Sequence, residues 1–121
     1  MTLPARRKYN VDHSPEGRAK RTYKDVVYDS LAEARYAAEL DLKVRAGVIR
    51  KWRRQVPFDL TVNGERVCRM RLDFEVEWPD GRLELVDVKG HATADWKLKA
   101  KLFWAVYGRE IRVVSSRTVR T

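Results

Sequence analysis

The sequence predicts an α/β domain of the α+β kind, with a mixed central sheet flanked by helices in the order αβββαβ. Three observations carry that expectation. Two stretches with apolar residues at helical spacing bracket a set of alternating apolar and polar runs. Cap or turn chemistry stands at the junctions between them. And 121 residues, 44% of them apolar, can enclose one core but not two.

Taken in order, residues 1–24 come first as a basic N-terminal arm, ahead of a domain covering residues 25–121. The arm holds Arg6, Arg7, Lys8, Arg18, Lys20, Arg21 and Lys24 against Asp12 and Glu16. It lacks apolar periodicity and contains Pro4, Pro15 and Gly17, so it is expected to be largely mobile, with a short extended piece at Val26–Tyr28 after it. "SLAEARYAAELDLKVRAG" reads as a helix: Ser30 and Glu33 fit a capping box, alanine and leucine fill the interior, and Gly47 suits the stop. Basic "RKWRRQ" leads into "PFDLTV", then Asn63-Gly64 signals a type I′ hairpin turn into "ERVCRMRLDFEVEW". Pro79-Asp80-Gly81 turns the chain into "RLELVDVKG". A second helix is expected over Ala94–Tyr107, with Leu98, Leu102, Ala105 and Val106 at helical spacing, ended by Gly108. "EIRVVS" closes the series as a short strand.

The turn at Pro79-Asp80-Gly81 fixes a register. A three-residue loop sets Trp78 opposite Arg82, which places Leu72, Phe74 and Val76 on one face with Val86 and Val88. A slip of one residue would oppose those apolar sets to charges. The favoured register also sets Asp73 opposite Asp87, and Arg71 opposite Lys89. Directly paired side chains have Cβ atoms about 4.5–5.5 Å apart, and like charges there repel. Two carboxylates so placed need a cation between them or a shared proton. Asp87 and Lys89, two apart on a strand, share a face. Glu33 stands at the N-terminal end of the helix stripe Ala37, Leu40 and Val44, which must pack on the sheet and so brings a third acid towards the other two. It could equally fold back on Ser30 as the second half of the capping box.

Composition narrows the class further. Lys and Arg outnumber Asp and Glu 26 to 17, for a formal net charge of +9, which favours a polyanionic partner, most often nucleic acid. No apolar run reaches the ~18 residues of a membrane span, and no apolar leader is visible. The single cysteine, Cys68, and the absence of Cys/His spacing argue against a disulfide framework or a zinc site, so a cytoplasmic setting is expected. Carboxylates without a His or Cys partner suit a hard cation, Mg²⁺ or Mn²⁺. Such a site beside a lysine on a basic protein points to metal-assisted phosphodiester hydrolysis.

At these residues the sequence resembles the PD-(D/E)XK nuclease superfamily, and most of all small phage-encoded endonucleases and archaeal-type Holliday junction resolvases. The likeness rests on "YDSLAEARYAAEL", "RQVPF", "RMRLDFEVEW", "ELVDVKG" and "DWKLKAKLFW", and runs from about Tyr23 to Ser115. Asp73 matches the first acid of the motif, although Leu72 rather than proline precedes it. Asp87-Val88-Lys89 matches the (D/E)-x-K element, Glu33 the helix-one glutamate, and Gln55 a glutamine entering the sheet.

The resemblance implies a restriction-endonuclease-like core and catalytic roles for Glu33, Gln55, Asp73, Asp87 and Lys89. It implies Mg²⁺ or Mn²⁺ held by Asp73, Asp87, the Val88 carbonyl and Glu33, with Lys89 positioning the attacking water or stabilising the transition state. The implied partner is DNA, as branched duplex, cut by a homodimer. Candidate nucleic-acid contacts are Arg18, Lys20, Arg21, Arg53, Arg54, Lys97, Lys99 and Lys101, with Lys97 and Lys101 on one helix edge and Lys99 elsewhere. Two rival expectations stand beside it: a non-catalytic nucleic-acid-binding module using the arm with Trp52 or Trp96, and a nicking nuclease directed by partner proteins.

Overall fold

In the computed structural model, residues 11–118 are described. The chain opens with helix α1 (Pro15–Lys20), capped by Ser14, whose Oγ accepts from the Gly17 N–H at 3.1 Å. Strands β1 (Thr22–Tyr23) and β2 (Val26–Val27) form a small antiparallel pair. The described part of the expected arm thus carries regular structure, whereas Arg6, Arg7 and Lys8 lie outside the described residues.

Helix α2 (Leu31–Arg45) follows, with Ser30 as N-cap: its Oγ accepts from the Glu33 N–H at 3.1 Å. Strands β3 (Lys51–Val62), β4 (Glu65–Glu77) and β5 (Leu83–Lys89) run antiparallel in sequence. Helix α3 (Ala94–Tyr107) then crosses to β6 (Ile111–Ser115), parallel to β5. The sheet order is β3-β4-β5-β6. The α+β class and the αβββαβ order are therefore as the sequence predicts, with α1, β1 and β2 added in front.

Asn63 and Gly64 both take positive φ, as a type I′ turn requires. Trp78 and Arg82 close the second hairpin through the Trp78 N–H and the Arg82 carbonyl at 2.9 Å. The β4–β5 register is the expected one, Phe74 facing Val86 and Val76 facing Glu84. Strand β3 begins six residues earlier than "PFDLTV" suggests. Pro57, which reads as a strand boundary, is tolerated inside it because β3 is a sheet edge, where a missing N–H costs no ladder bond on the open side.

Two apolar clusters divide the core. Under α2 lie Tyr36, Ala37 and Leu40 with Phe74, Val76, Val86 and Val88. Under α3 lie Phe103 and Leu102 with Leu60, Met70, Leu72 and Leu85. Leu72 therefore packs with the second cluster, not with Val86 and Val88 as the alternation implies. Strand parity stays even on both sides of the change, from Met70 and Leu72 to Phe74 and Val76, so the hairpin itself re-aims its inner face. The change falls beside Gln55, which holds φ +55° in mid-strand between the Arg54–Phe74 and Val56–Leu72 pairs. Leu98 is 69% exposed, a second departure. Helix α3 buries Phe103 and half-buries Trp96 instead, so its packed face is rotated away from Leu98.

Candidate active site

Strands β4 and β5 pair regularly from Glu77–Leu83 up to Phe74–Val86, and there the Cα pairing stops. Beyond it the acids take over the ladder. The Asp73 N–H donates to Asp87 Oδ1 at 3.1 Å, and the Val88 N–H donates to Asp73 Oδ2 at 2.8 Å. Each carboxylate thus accepts a backbone proton from the opposite strand, doing the work that a carbonyl does elsewhere in the sheet. Both acids are buried, Asp73 at 6% exposure and Asp87 at 2%. A buried carboxylate is expensive unless it is hydrogen-bonded or paired, and this fork supplies both kinds of partner.

The cation is Lys89. Its Nζ stands 3.1 Å from Asp87 Oδ2 and 5.3 Å from the centroid of the Trp96 ring. Because Leu85, Asp87 and Lys89 share one face of β5, the lysine comes up under the first turn of α3, where Trp96 covers it. Thr93 caps that turn, its Oγ1 accepting from the Trp96 N–H at 3.2 Å. The ammonium is therefore aimed, not free to swing, though about a quarter of its side chain stays open to solvent.

Gln55, on β3, lies opposite Asp73 of β4, in the gap between two paired neighbours. A glutamine at φ +55° is strained by about 1–2 kcal/mol relative to the ordinary strand conformation. Backbone strain of this kind gathers at functional positions. Next to it, the Arg54 guanidinium stacks on the buried Tyr28 ring at 4.6 Å, and its Nε has no hydrogen-bond partner among the described residues. Burial pushes the Tyr28 phenol above its ordinary pKa, and the nearby Arg54 charge opposes that rise. Neither Tyr28 nor its stack with Arg54 was legible in the sequence, since the two residues meet only in three dimensions.

Glu33 is also buried, at 1% exposure, on the face of α2 that covers Val86 and Val88. Asp87 and Lys89 belong to the opposite face of β5. Among the described residues, no three His, Cys, Asp or Glu side chains gather to hold a metal ion. The structure assembles two of the three expected acids at the fork. That pair still fits Mg²⁺ or Mn²⁺, which takes one or two carboxylates and completes its shell with water and substrate phosphate oxygens.

A family model described as "Protein of unknown function (DUF1064)" matches residues 13–120, nearly the whole chain. The chain belongs to this family. No curated protein and no solved structure matches it. The DUF1064 match takes in every element from α1 to β6, hence the fork, the strained Gln55 and α3 together.

The cationic residues of this DUF1064 chain divide by what holds them. Arg18 and Lys20 on α1, and Lys97 and Lys101 on α3, are exposed. Lys99 is half-buried on the packed side of α3, three residues from Trp96 and four from Phe103. Arg53 pairs with the buried Glu75 at 2.8 Å. Arg21 does not suit the expected contact with nucleic acid. It is 6% exposed, and its guanidinium donates to the Asp12 carbonyl and meets His13 Nδ1 at 3.5 Å, so it ties down the chain ahead of α1.

A further cluster went unread in the sequence. Asp41 on α2 accepts from the Tyr23 hydroxyl at 2.5 Å and the Trp52 Nε1–H at 2.9 Å, and pairs with Lys24 at 3.0 Å. It binds the small β1–β2 pair and β3 to the helix. Burial raises the Asp41 pKa, but the hydrogen bonds from Tyr23, Lys24 and Trp52 outweigh it and hold the carboxyl below its ordinary value. Among the described residues, no helix is long and apolar enough to cross a membrane.

Proposed function

We propose that the chain is a metal-dependent endonuclease that hydrolyses phosphodiester bonds in branched duplex DNA, acting as a homodimer. The observation that carries this reading is the fork, where Asp87 accepts from the Asp73 N–H, Asp73 accepts from the Val88 N–H, and Lys89 sits against Asp87. Asp73 and Asp87 would hold Mg²⁺ or Mn²⁺, which when bound supplies an activated water and neutralises charge on the phosphate. The Val88 N–H keeps Asp73 turned into the fork. Lys89, steadied by Trp96, offers its ammonium to charge developing on a phosphate oxygen. Arg54, stacked on Tyr28, presents a planar donor edge suited to phosphate, and exposed Lys97 and Lys101 add contacts along the strand.

Two such forks in a dimer would address the two strands of a symmetric junction. The net charge of +9 supports the polyanionic substrate.

The test is incubation of the chain with supercoiled plasmid, linear duplex and a four-way junction, in Mg²⁺ or in EDTA. Cleavage confined to Mg²⁺ and greatest on the junction is expected. Undiminished cutting in excess EDTA would remove the metal from the reading. Binding in Mg²⁺ without any cleavage would leave the non-catalytic module in its place.

A further inference from the structure

The geometry points to a second nucleic-acid contact, a stacking site for an unpaired nucleotide centred on Trp104. It is a shallow hollow of about 580 Å³ between α3 and the start of β6, lined by Ala100, Lys101, Trp104, Arg109, Glu110 and Ile111. The inference shares with the proposed function only the premise that the partner is nucleic acid. It does not depend on cleavage.

The sequence builds the hollow in three steps. Helix α3 spends Trp96, Leu102 and Phe103 on its packed side, which leaves Trp104 turned outwards at 56% exposure. Lys97 and Lys101, seven and three residues earlier, fall on the same outer edge and are exposed. Gly108, at φ +64°, then caps the helix through its N–H to the Trp104 carbonyl at 2.8 Å and reverses the chain, returning Arg109 beside the indole.

Each wall supplies one part of a nucleotide's chemistry. The open indole offers a π-face, on which any base can stack whatever its sequence. Lys101 carries no ion pair among the described residues, and Arg109 reaches Glu75 only at 3.9 Å, beyond hydrogen-bonding distance, so both keep donors for phosphate. Glu110, the one acid in the lining, repels phosphate and accepts from base N–H donors, the N3–H of thymine and uracil among them, so it orients the base inwards and the backbone towards the cations. A second copy of the chain is disfavoured as occupant of this hollow, because a two-fold contact here would set Lys101 and Arg109 of each copy against the same cations of the other.

Placement relative to the fork sets the substrate. Trp96, which covers Lys89, and Trp104 lie eight residues apart on α3, about 12 Å along the helix axis. That is about three to four nucleotide steps of a stacked strand. The site would hold the first displaced or looped-out nucleotides beside a duplex lying on the fork, favouring nucleic acid with a single-stranded branch.

The test uses the full chain in EDTA, so that cleavage plays no part, with oligothymidylate, oligouridylate and a blunt duplex as probes. Trp104→Ala should weaken oligothymidylate binding about 5- to 150-fold, the range for one base–aromatic stack, and change duplex binding less than about twofold. Trp104→Phe should recover most of the loss, which a merely structural role would not require, and melting should be unchanged because the side chain is exposed. An equal loss on oligouridylate means the site takes either sugar, and a smaller loss assigns it to DNA. Wild-type affinity of Trp104→Ala for both single strands would overturn the inference. So would an equal loss on the blunt duplex, or self-association lost on Trp104→Ala while single-strand binding is kept.

Discussion

The two ends of the β4–β5 pair obey different rules. From Phe74–Val86 to Glu77–Leu83, carbonyls and amides of the two backbones face one another, and Val76 and Val86 carry the packing under α2. One step further, at Asp73 and Asp87, carboxylates replace carbonyls as acceptors. The first end is built to be stable. The second is also satisfied in its hydrogen bonds, but it sets two buried acids beside a lysine that keeps about a quarter of its side chain open to solvent. A sheet that only needed strength would have no use for charge at that point.

Each end can be changed separately. Lys89→Ala should give the largest effect, a loss of about 10²–10³ in cleavage rate, the scale for removing one transition-state donor, with DNA affinity little changed. If single-turnover rates are unaffected, the ammonium has no part in the chemistry. Val76→Ala, at the regular end, should invert the pattern. Burial of a valine contributes about 1.5–3 kcal/mol, so denaturant unfolding should shift by that amount while the folded fraction cuts within about twofold of wild type. Both variants changing the same property would mean that the two ends are not separable.

Gln55 sharpens the contrast at smaller scale. Gln55→Gly relieves a left-handed strain of about 1–2 kcal/mol but adds unfolded-chain entropy of about 0.5–1 kcal/mol. Stability should therefore hold or rise slightly, while cleavage falls. Gln55→Val, β-branched at positive φ, should lose about 1–3 kcal/mol. A Gly variant that melts clearly lower than wild type would show that the side chain, not the backbone kink, is what the fold needs there.

The smallest effect lies at Asp41, far from the chemistry. Its folded pKa is depressed below the ordinary 3.8, so its contribution is present above that value and fades as pH falls through the folded one. Tyr23→Phe should cost about 1 kcal/mol near neutral pH and progressively less below about pH 4. A cost that does not vary down to about pH 2 would contradict the charged hydrogen bond.

Much of this was legible from local chemistry. Ser30, Gly108, Asn63-Gly64 and Pro79-Asp80-Gly81 fix element ends through backbone geometry, and the short loop at Gly81 fixes a register, which is how Asp73 and Asp87 could be brought face to face from sequence. Three things were hidden. Leu72 changes cluster beside the kink at Gln55, and a positive φ on a glutamine leaves no mark in composition. Leu98 reads as core on a helical wheel, yet the packed face of α3 is set by what β4 and β5 present, not by α3 itself. Tyr28 with Arg54, and Tyr23 with Asp41 and Trp52, are tertiary meetings of residues far apart in the chain. The expected third acid illustrates the same limit, since Glu33 belongs to a helix whose reach across the sheet no spacing rule supplies.

The measurement that bears most directly on the fork is a paired one on Asp87→Asn: melting in EDTA and junction cleavage in Mg²⁺. Asparagine keeps an Oδ1 acceptor for the Asp73 N–H, so the strands should stay joined, with stability within about 1 kcal/mol of wild type. Cleavage should fall by orders of magnitude, because the charge that would bind the metal and its water is gone. Asp87→Ala, which strands the buried Asp73 N–H, should instead lose about 1–3 kcal/mol as well as activity. An Asp87→Asn protein that melts well below wild type yet cuts at the wild-type rate would make the two acids a structural lock on the sheet and not a metal site.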